Sequence, residues 1–577
     1  MRVYLVLTMF LTAGLGLGCG QEKQESPASS VPAPVARVDS NLLARVHFSG
    51  TTQLLADTNM AAKLNEIAGL PETAALRDDA MQKLATAPYR LLQEQKKLPN
   101  GASDQAALFR PLLEDLLHDE WYAELDGPTN PVPELLLAIN LSDERAALWR
   151  TNLSTILAAW TKLPINEIQV EGYSGWELKK HDSPNLVRFI RAGNWVLLGW
   201  GDNTIAAAAD ALQRIKAKGR PVAAAPDYWL DAWADWPRLL ADEPVSTSFK
   251  LPTMQLMLGL KDDSVGSKVV LTFPEALAVT LPEWKIPTNI IRNQLINFTA
   301  ARGLAPLLGR IPLLQDLKLD PIPDQLYAWA MFGVPFETCI ATPVANGTNF
   351  LEQVGSRLIS QENSNLLAHG LGQLGWNETR TSLNWTGIPP IVSPYLSAAC
   401  ATNGDFALLG FFPSVPRTAM PPPELFNQVT SKTNLLYYDW EITGERVGQW
   451  WNFITLYYIL RHQPISAVEA PAQKWIQAIS SKVGNCVTEV TLTAPNELTL
   501  LRKSPLGLSS AELANLLHWE DANGFPLNAA YMPHARARQP LTNAPGQPSG
   551  VQPPVLPVAP LPVSQPMPVP PAAVPPK

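Results

Sequence analysis

Residues 191–200, RAGNWVLLGW, and residues 402–411, TNGDFALLGF, are two copies of one pattern. Gly193 matches Gly404, Asn194 matches Asp405 and Trp195 matches Phe406. Leu197, Leu198, Gly199 and Trp200 match Leu408, Leu409, Gly410 and Phe411. Each copy reads as a hairpin with a Gly-Asn or Gly-Asp corner, because those dipeptides reach the positive φ that a tight turn demands. A chain that repeats a hairpin at this distance is expected to repeat the module around it.

Two further pairs flank the hairpins in the same order. Residues 135–157, LLLAINLSDERAALWRTNLSTIL, resemble 338–359, TCIATPVANGTNFLEQVGSRLI: a strand, a polar turn and an amphipathic helix. Residues 270–279, VLTFPEALAV, match 491–500, TLTAPNELTL, through Leu271/Leu492, Thr272/Thr493, Pro274/Pro495 and Leu277/Leu498. In the first copy, strands are expected near 135–140, 168–172, 175–180, 186–191 and 195–200, with helices near 142–160 and 203–217. Residues 42–125 read as mainly helical after one strand at ARVHFSG. The expected fold class is α+β, in two related lobes at 41–285 and 286–525, the second an internal duplicate of the first. Each lobe is expected to be an antiparallel-rich sheet with helices on one face. The period is too long for solenoids or propellers.

The ends are of another kind. Residues 1–19, MRVYLVLTMFLTAGLGLGC, have a positive start at Arg2, an uncharged apolar run and small residues before Cys19, the layout of a secretory signal. The run is short for a membrane span. The cysteine at the cleavage point resembles the lipobox of bacterial lipoproteins, although Gly16 stands where a leucine is usual. The resemblance implies a lipid on Cys19 and attachment to a membrane through it, with the chain in the cell envelope facing the periplasm. Gly20 in place of an aspartate leaves the outer membrane open as its destination. Residues 20–40 read as a flexible tether, and 539–577 as a disordered proline-rich tail that can form neither helix nor sheet. The duplicated strand-helix-sheet layout also resembles secreted bacterial proteins of unknown function, which brings no activity with it.

Composition narrows the function. The 577 residues carry a net charge of −8 with only 17% charged residues, which argues against a nucleic-acid partner. Besides Cys19 there are Cys339, Cys400 and Cys486, which allow one disulfide and leave one free thiol, and there is no C-x-x-C pair.

No motif points firmly to chemistry, and no cofactor or metal is implied. GLGQLG at 370–375 fits a dinucleotide loop but follows helical spacing, so a glycine-capped helix end is expected. His118 stands among Glu114, Asp115, Asp119 and Glu120, which reads as a solvated acidic face. GYSGW at 172–176 lacks the spacing of a nucleophile elbow, which makes Ser174 a turn residue. Residues 444–462 are aromatic and uncharged from Val447 to Leu460, the pattern of a buried helix.

The candidate ligand site is DYWLDAWADWPRLL at 227–240. As a helix it would put Asp227, Asp231 and Asp235 on one face and Trp229, Trp233 and Trp236 on the other. Its repeat counterpart, NLLYYDWEI at 434–442, reads instead as a strand. The leading expectation is a non-catalytic envelope lipoprotein that binds or positions another envelope component, protein or glycan. The alternatives are a periplasmic glycan hydrolase, which needs two carboxyls across an aromatic cleft, and a carrier of an apolar or lipid ligand, which needs a closed, dry pocket lined by both lobes or by the aromatics of 450–460.

Overall fold

Short apolar runs punctuated by Gly, Pro, Asn and Asp favour short strands over long helices, and the described residues build twenty of them. The computed structural model describes residues 41–527, apart from 57–60, 96, 99–102, 128–132, 180–185, 202–205, 224–226, 242–249, 262–263, 293, 312–313, 316–318, 320, 333–336, 388–392, 413–417, 461–469 and 523. Cys19, the tether and the proline-rich tail lie outside the described residues.

The first ten strands and their helices are β1 (Leu42–Phe48), α1 (Thr51–Ala56), α2 (Ala62–Ala68), α3 (Pro71–Glu94), α4 (Ala106–His118), β2 (Trp121–Asp126), β3 (Glu134–Asn140), α5 (Asp143–Thr161), β4 (Asn166–Val170), β5 (Tyr173–Lys179), β6 (Leu186–Ala192), β7 (Trp195–Gly201), α6 (Ala206–Lys218), β8 (Leu230–Asp235), α7 (Trp236–Leu239), β9 (Thr253–Lys261) and β10 (Ser264–Thr272). The second ten are β11 (Leu295–Arg302), α8 (Ala305–Leu308), β12 (Gln325–Met331), β13 (Thr338–Val344), α9 (Gly347–Ala368), β14 (Gln373–Trp376), β15 (Ser382–Thr386), β16 (Tyr395–Ala401), β17 (Gly404–Gly410), α10 (Pro423–Thr430), β18 (Leu435–Ile442), α11 (Thr443–Leu460), α12 (Pro471–Ile479), β19 (Asn485–Ala494), β20 (Glu497–Ser504) and α13 (Ser510–Asp521).

All pairings are antiparallel and join the strands into one α+β sheet. Its order is β4-β5-β6-β7-β3-β2-β1-β8-β9-β10 followed by β20-β19-β18-β11-β12-β13-β17-β16-β15-β14. The connections of the first ten strands recur in the second ten, and the halves meet where β10 pairs β20 from Val265–Ser504 to Thr272–Glu497. Leu197 lies opposite Ala138 and Leu408 opposite Ala341, so matched residues occupy one register.

Two details of the sequence alignment are corrected. The β6–β7 corner is Gly193-Asn194, but the β16–β17 corner is Thr402-Asn403, with Gly404 and Asp405 already in β17. The second strands are longer at that end. Residues 270–279 begin in β10, whereas 491–500 span the β19–β20 turn, so that pair is out of step by a strand. Threonine and leucine recur in every strand here and align without structural equivalence.

Helices cover both faces of the sheet, not one. Leu136 and Ala138 of β3 pack with α6 through Ala207, Ala208, Ala211 and Leu212. Ile139 and Leu141 pack with α5 through Ala146, Trp149 and Leu153. The apolar run in β3 leaves neither side polar, so both must be covered. On the α5 side the helical layer joins distant sequence. Ile67 of α2 and Leu76 of α3 share a core with Val447 and Trp451 of α11, Trp475 and Ile476 of α12, and Leu513 and Leu517 of α13. The described residues lie in one compact unit.

Candidate functional site

The 227–240 segment is a strand that ends in one helical turn, which corrects the helical reading. Aspartates four apart satisfy strand parity as well as helical spacing, and Leu230, Ala232 and Ala234 between them are buried. Asp231, Trp233 and Asp235 therefore share one face. Asp231 pairs with Arg45 at 3.5 Å and accepts from Gln255 at 3.3 Å. Asp235 caps α7, accepting the Arg238 N–H at 3.1 Å. Asp227 is exposed and lies before the strand. Trp229 is buried against Phe48, with ring centroids 5.9 Å apart. The structure brings together three of the five residues and ties both of their carboxylates to arginines or a cap.

The other sequence motifs also find plain roles. GLGQLG follows the end of α9 and runs into β14, helix before strand, with Gly370 and Gly372 at positive φ. Ser174 lies inside β5. Glu114 pairs with Arg110, and Asp115 accepts from Arg145 at 2.8 Å and Trp149 at 2.7 Å, locking α4 to α5. Among the described residues no group of three or more His, Cys, Asp or Glu could hold a metal. No described helix is long and apolar enough to cross a membrane. In α11, Val447 and Trp451 are buried. Cys339, Cys400 and Cys486 are free thiols.

The helical layer contains a cavity of about 140 Å³ between α1, α3, α4 and α13. Its wall is aliphatic: Leu54 and Leu55 from α1, Leu76, Ala80, Met81 and Leu84 from α3, Leu113, Leu116 and Leu117 from α4, and Leu516 and Leu517 from α13. Polar groups appear at few points. Thr51 and His118 are one. Thr73, Arg77 and Glu520 are others. Lys83 holds Glu520 at 3.1 Å. Burial nonetheless pushes the Glu520 carboxyl up to about 8.

The chain matches no protein-family model, no curated protein and no solved structure.

A second polar cluster sits on the same face of the sheet, beneath α11 and α13. Asp439 accepts from Thr299 at 2.5 Å and from Asn297 at 2.9 Å. Glu441 accepts the Ser510 N–H at 2.6 Å and the Ser510 hydroxyl, at the N-terminus of α13. Burial, then the neighbouring Asp439, pushes Glu441 up to about 7. Burial likewise raises Asp439. Arg502 donates to Thr488 at 2.9 Å and forks onto Glu512 at 2.5 and 3.1 Å. Buried carboxylates beside helix ends are a structural solution as well as a catalytic one, and these two do not line the cavity described above.

The sequence reading missed this cavity. Its lining comes from helices about 400 residues apart, and leucines that line a hole cannot be told by type from leucines that fill one. One signal was present: the 42–125 helices carry more aliphatic faces than one side of one sheet needs.

Proposed function

We propose that this chain is a non-catalytic envelope lipoprotein, tethered through Cys19, that binds a small apolar ligand in its helical layer. The single observation behind this reading is the aliphatic cavity whose wall combines residues of 41–285 with residues of 286–525. Its volume is of the order of an engineered apolar cavity that stays dry and takes up benzene, about 150 Å³. The glycan-hydrolase alternative finds less support, because Asp231 is paired with Arg45 and Asp235 caps a helix. We further read the recurring strand order as a duplicated module, with the two copies sharing the seam at β10 and β20.

The test is thermal. A ligand bound only by the folded state raises the melting temperature in proportion to the logarithm of its concentration above its Kd. Benzene and 1-octanol should each raise it for the full chain. Ala80→Phe, which fills the cavity, should remove the shift while the variant's own far-UV spectrum stays native. No shift with either compound would overturn the reading. Anchoring is tested separately by mass spectrometry of the mature N-terminus, which should begin at an acylated Cys19.

A further inference from the structure

The cavity and a second, polar recess share one lining residue, His118. That recess, about 290 Å³, is lined by Ser49, Thr52, Gln53, His118, Asp119, Glu120, Asn140, Leu141, Ser142 and Asn194. Four separate parts of the chain meet there: the β1–α1 corner, the end of α4, the end of β3 and the β6–β7 hairpin corner. Backbone bonds fix them to one another. Leu141 N–H donates to the Asn194 carbonyl at 2.8 Å, and Asn140 N–H donates to that of Glu120 at 2.9 Å. Gly50, at φ +86°, lets the corner approach the α4 terminus; a Cβ on it would lie 2.4 Å from the His118 carbonyl oxygen.

The recess has a definite electrostatic character. Glu120 is already held by His47 at 2.9 Å and by Arg220, and its carboxyl is lowered despite burial. Asp119 has no ion pair among the described residues; partial burial, then Asp115, raises its pKa. His118 has an assigned direction. Thr51 donates its one hydroxyl proton to the Leu117 carbonyl at 2.9 Å, so the 3.0 Å contact with His118 Nδ1 requires the imidazole to donate. In the neutral ring that leaves Nε2 as an acceptor. Asp119, and His118 through Nε2, therefore offer acceptors beside an apolar hole.

We infer that the cavity and the recess are one site for an amphiphile, its short apolar group between α1, α3, α4 and α13 and its uncharged hydroxylated head in the recess against Asp119, Asn140 and Asn194. This inference rests on the apolar-ligand reading above and names its chemical class. The cavity volume admits an apolar group of about six to eight carbons with slight spreading of the helices. The Asp119 carboxylate selects against a carboxylate or phosphate head and for hydroxyl donors.

The experiment compares three probes of one chain length on the full chain by isothermal titration at pH 8: 1-octanol, monooctanoylglycerol and octanoate. Monooctanoylglycerol should bind best and octanoate worst, with about a tenfold or greater spread between them. Asp119→Asn should raise octanoate affinity by about fivefold, as expected for removing one partly screened like charge, and change monooctanoylglycerol by less than about twofold. Equal binding of all three probes would overturn the head-group assignment while leaving the apolar site standing. So would octanoate binding best and losing its advantage in Arg77→Gln, since the head would then sit at the Arg77 side. Failure of 1-octanol itself would instead sink the underlying reading. If Asp119→Asn melts early, Asn194→Ala serves in its place: it lies outside the helical layer, should weaken monooctanoylglycerol alone, and would count against the assignment if it weakened 1-octanol equally.

Discussion

In the first half of the sheet, Val46 and Ala232 pack in the core that includes α5, and Ala44 and Ala234 beside them pack with Leu239 of α7, so all four positions are apolar. In the second half the matching positions are Asn297, Thr299, Asp439 and Glu441. The match follows from Gly50 and Gly303, which follow β1 and β11 at φ +86° and +72° and lead into α1 and α8. Counting back from them, Val46 opposite Ala232 answers to Thr299 opposite Asp439, and Ala44 opposite Ala234 answers to Asn297 opposite Glu441. All of these except Thr299 are buried: Ala232 and Ala234 are 0% exposed, Asp439 7% and Glu441 3%. One backbone thus supports an oily patch or a hydrogen-bonded one, but only as a set. Thr299 and Asn297 serve Asp439, while the end of α13 serves Glu441. A buried carboxyl without such partners would cost several kcal/mol.

The strongest challenge to this comparison is to move one member across. Ala234→Glu places a carboxyl among the apolar side chains of Leu43, Leu125 and Leu239, and should lower unfolding free energy by about 3–5 kcal/mol in urea melts. A loss below about 1 kcal/mol would mean that the first half can improvise partners and that the set is not required.

Next in size is the pH dependence of Glu441. Its folded pKa, about 7, lies above the ordinary 4.5, so the folded state holds a proton that the unfolded state releases. That stabilisation is complete below 4.5 and is lost as pH rises through about 7, amounting to roughly 3 kcal/mol for the full shift. Glu441→Gln should flatten the fall in stability between those values. Glu520, raised to about 8, contributes a fall of the same sign that persists in the variant, so the difference between the two curves isolates Glu441. Parallel curves would show that Glu441 is ionised in the fold.

The paired glycines give a smaller, sharper comparison. Both positions strain an L-residue, but a Cβ at Gly50 meets a backbone carbonyl at 2.4 Å, whereas at Gly303 it meets Val279 Cγ1 at 2.5 Å, which can rotate away. Gly50→Ala should cost about 2–3 kcal/mol, and Gly303→Ala about 1 kcal/mol less. The reverse order would break the equivalence of the two corners. Smallest is the cap of α13, where Ser509 and Glu512 form a reciprocal capping box. Ser509→Ala should cost about 1 kcal/mol and shift the Glu441 titration, because the same terminus serves both.

Much of the local structure is readable in the residues, for physical reasons. Between Glu134 and Lys218 the expected elements fall within three residues of the observed ones, since Ser142 caps α5, Asp143 and Glu144 follow it, and Gly193-Asn194 turns the hairpin. The helical reading of 227–240 fails because every fourth residue is also every second pair. The patch around Asp439 could not be foreseen, because aspartate on a strand reads as solvent-facing until its cover is known. That cover is supplied by Ser510, about 70 positions further on. The candidate ligand site fails in the same way: no local pattern brings His118 beside Asn194 or Leu84 beside Leu517.

The seam between β10 and β20 joins residues that leave the ribosome more than two hundred positions apart. Until β20 exists, β10 is a bare edge with its outer row of amides and carbonyls unanswered, and α2 and α3 lack the helices that complete their core. Such a topology folds slowly and late. It also leaves an adhesive border on every unfinished chain, so a truncation that ends before Glu497 should be sticky rather than merely shorter.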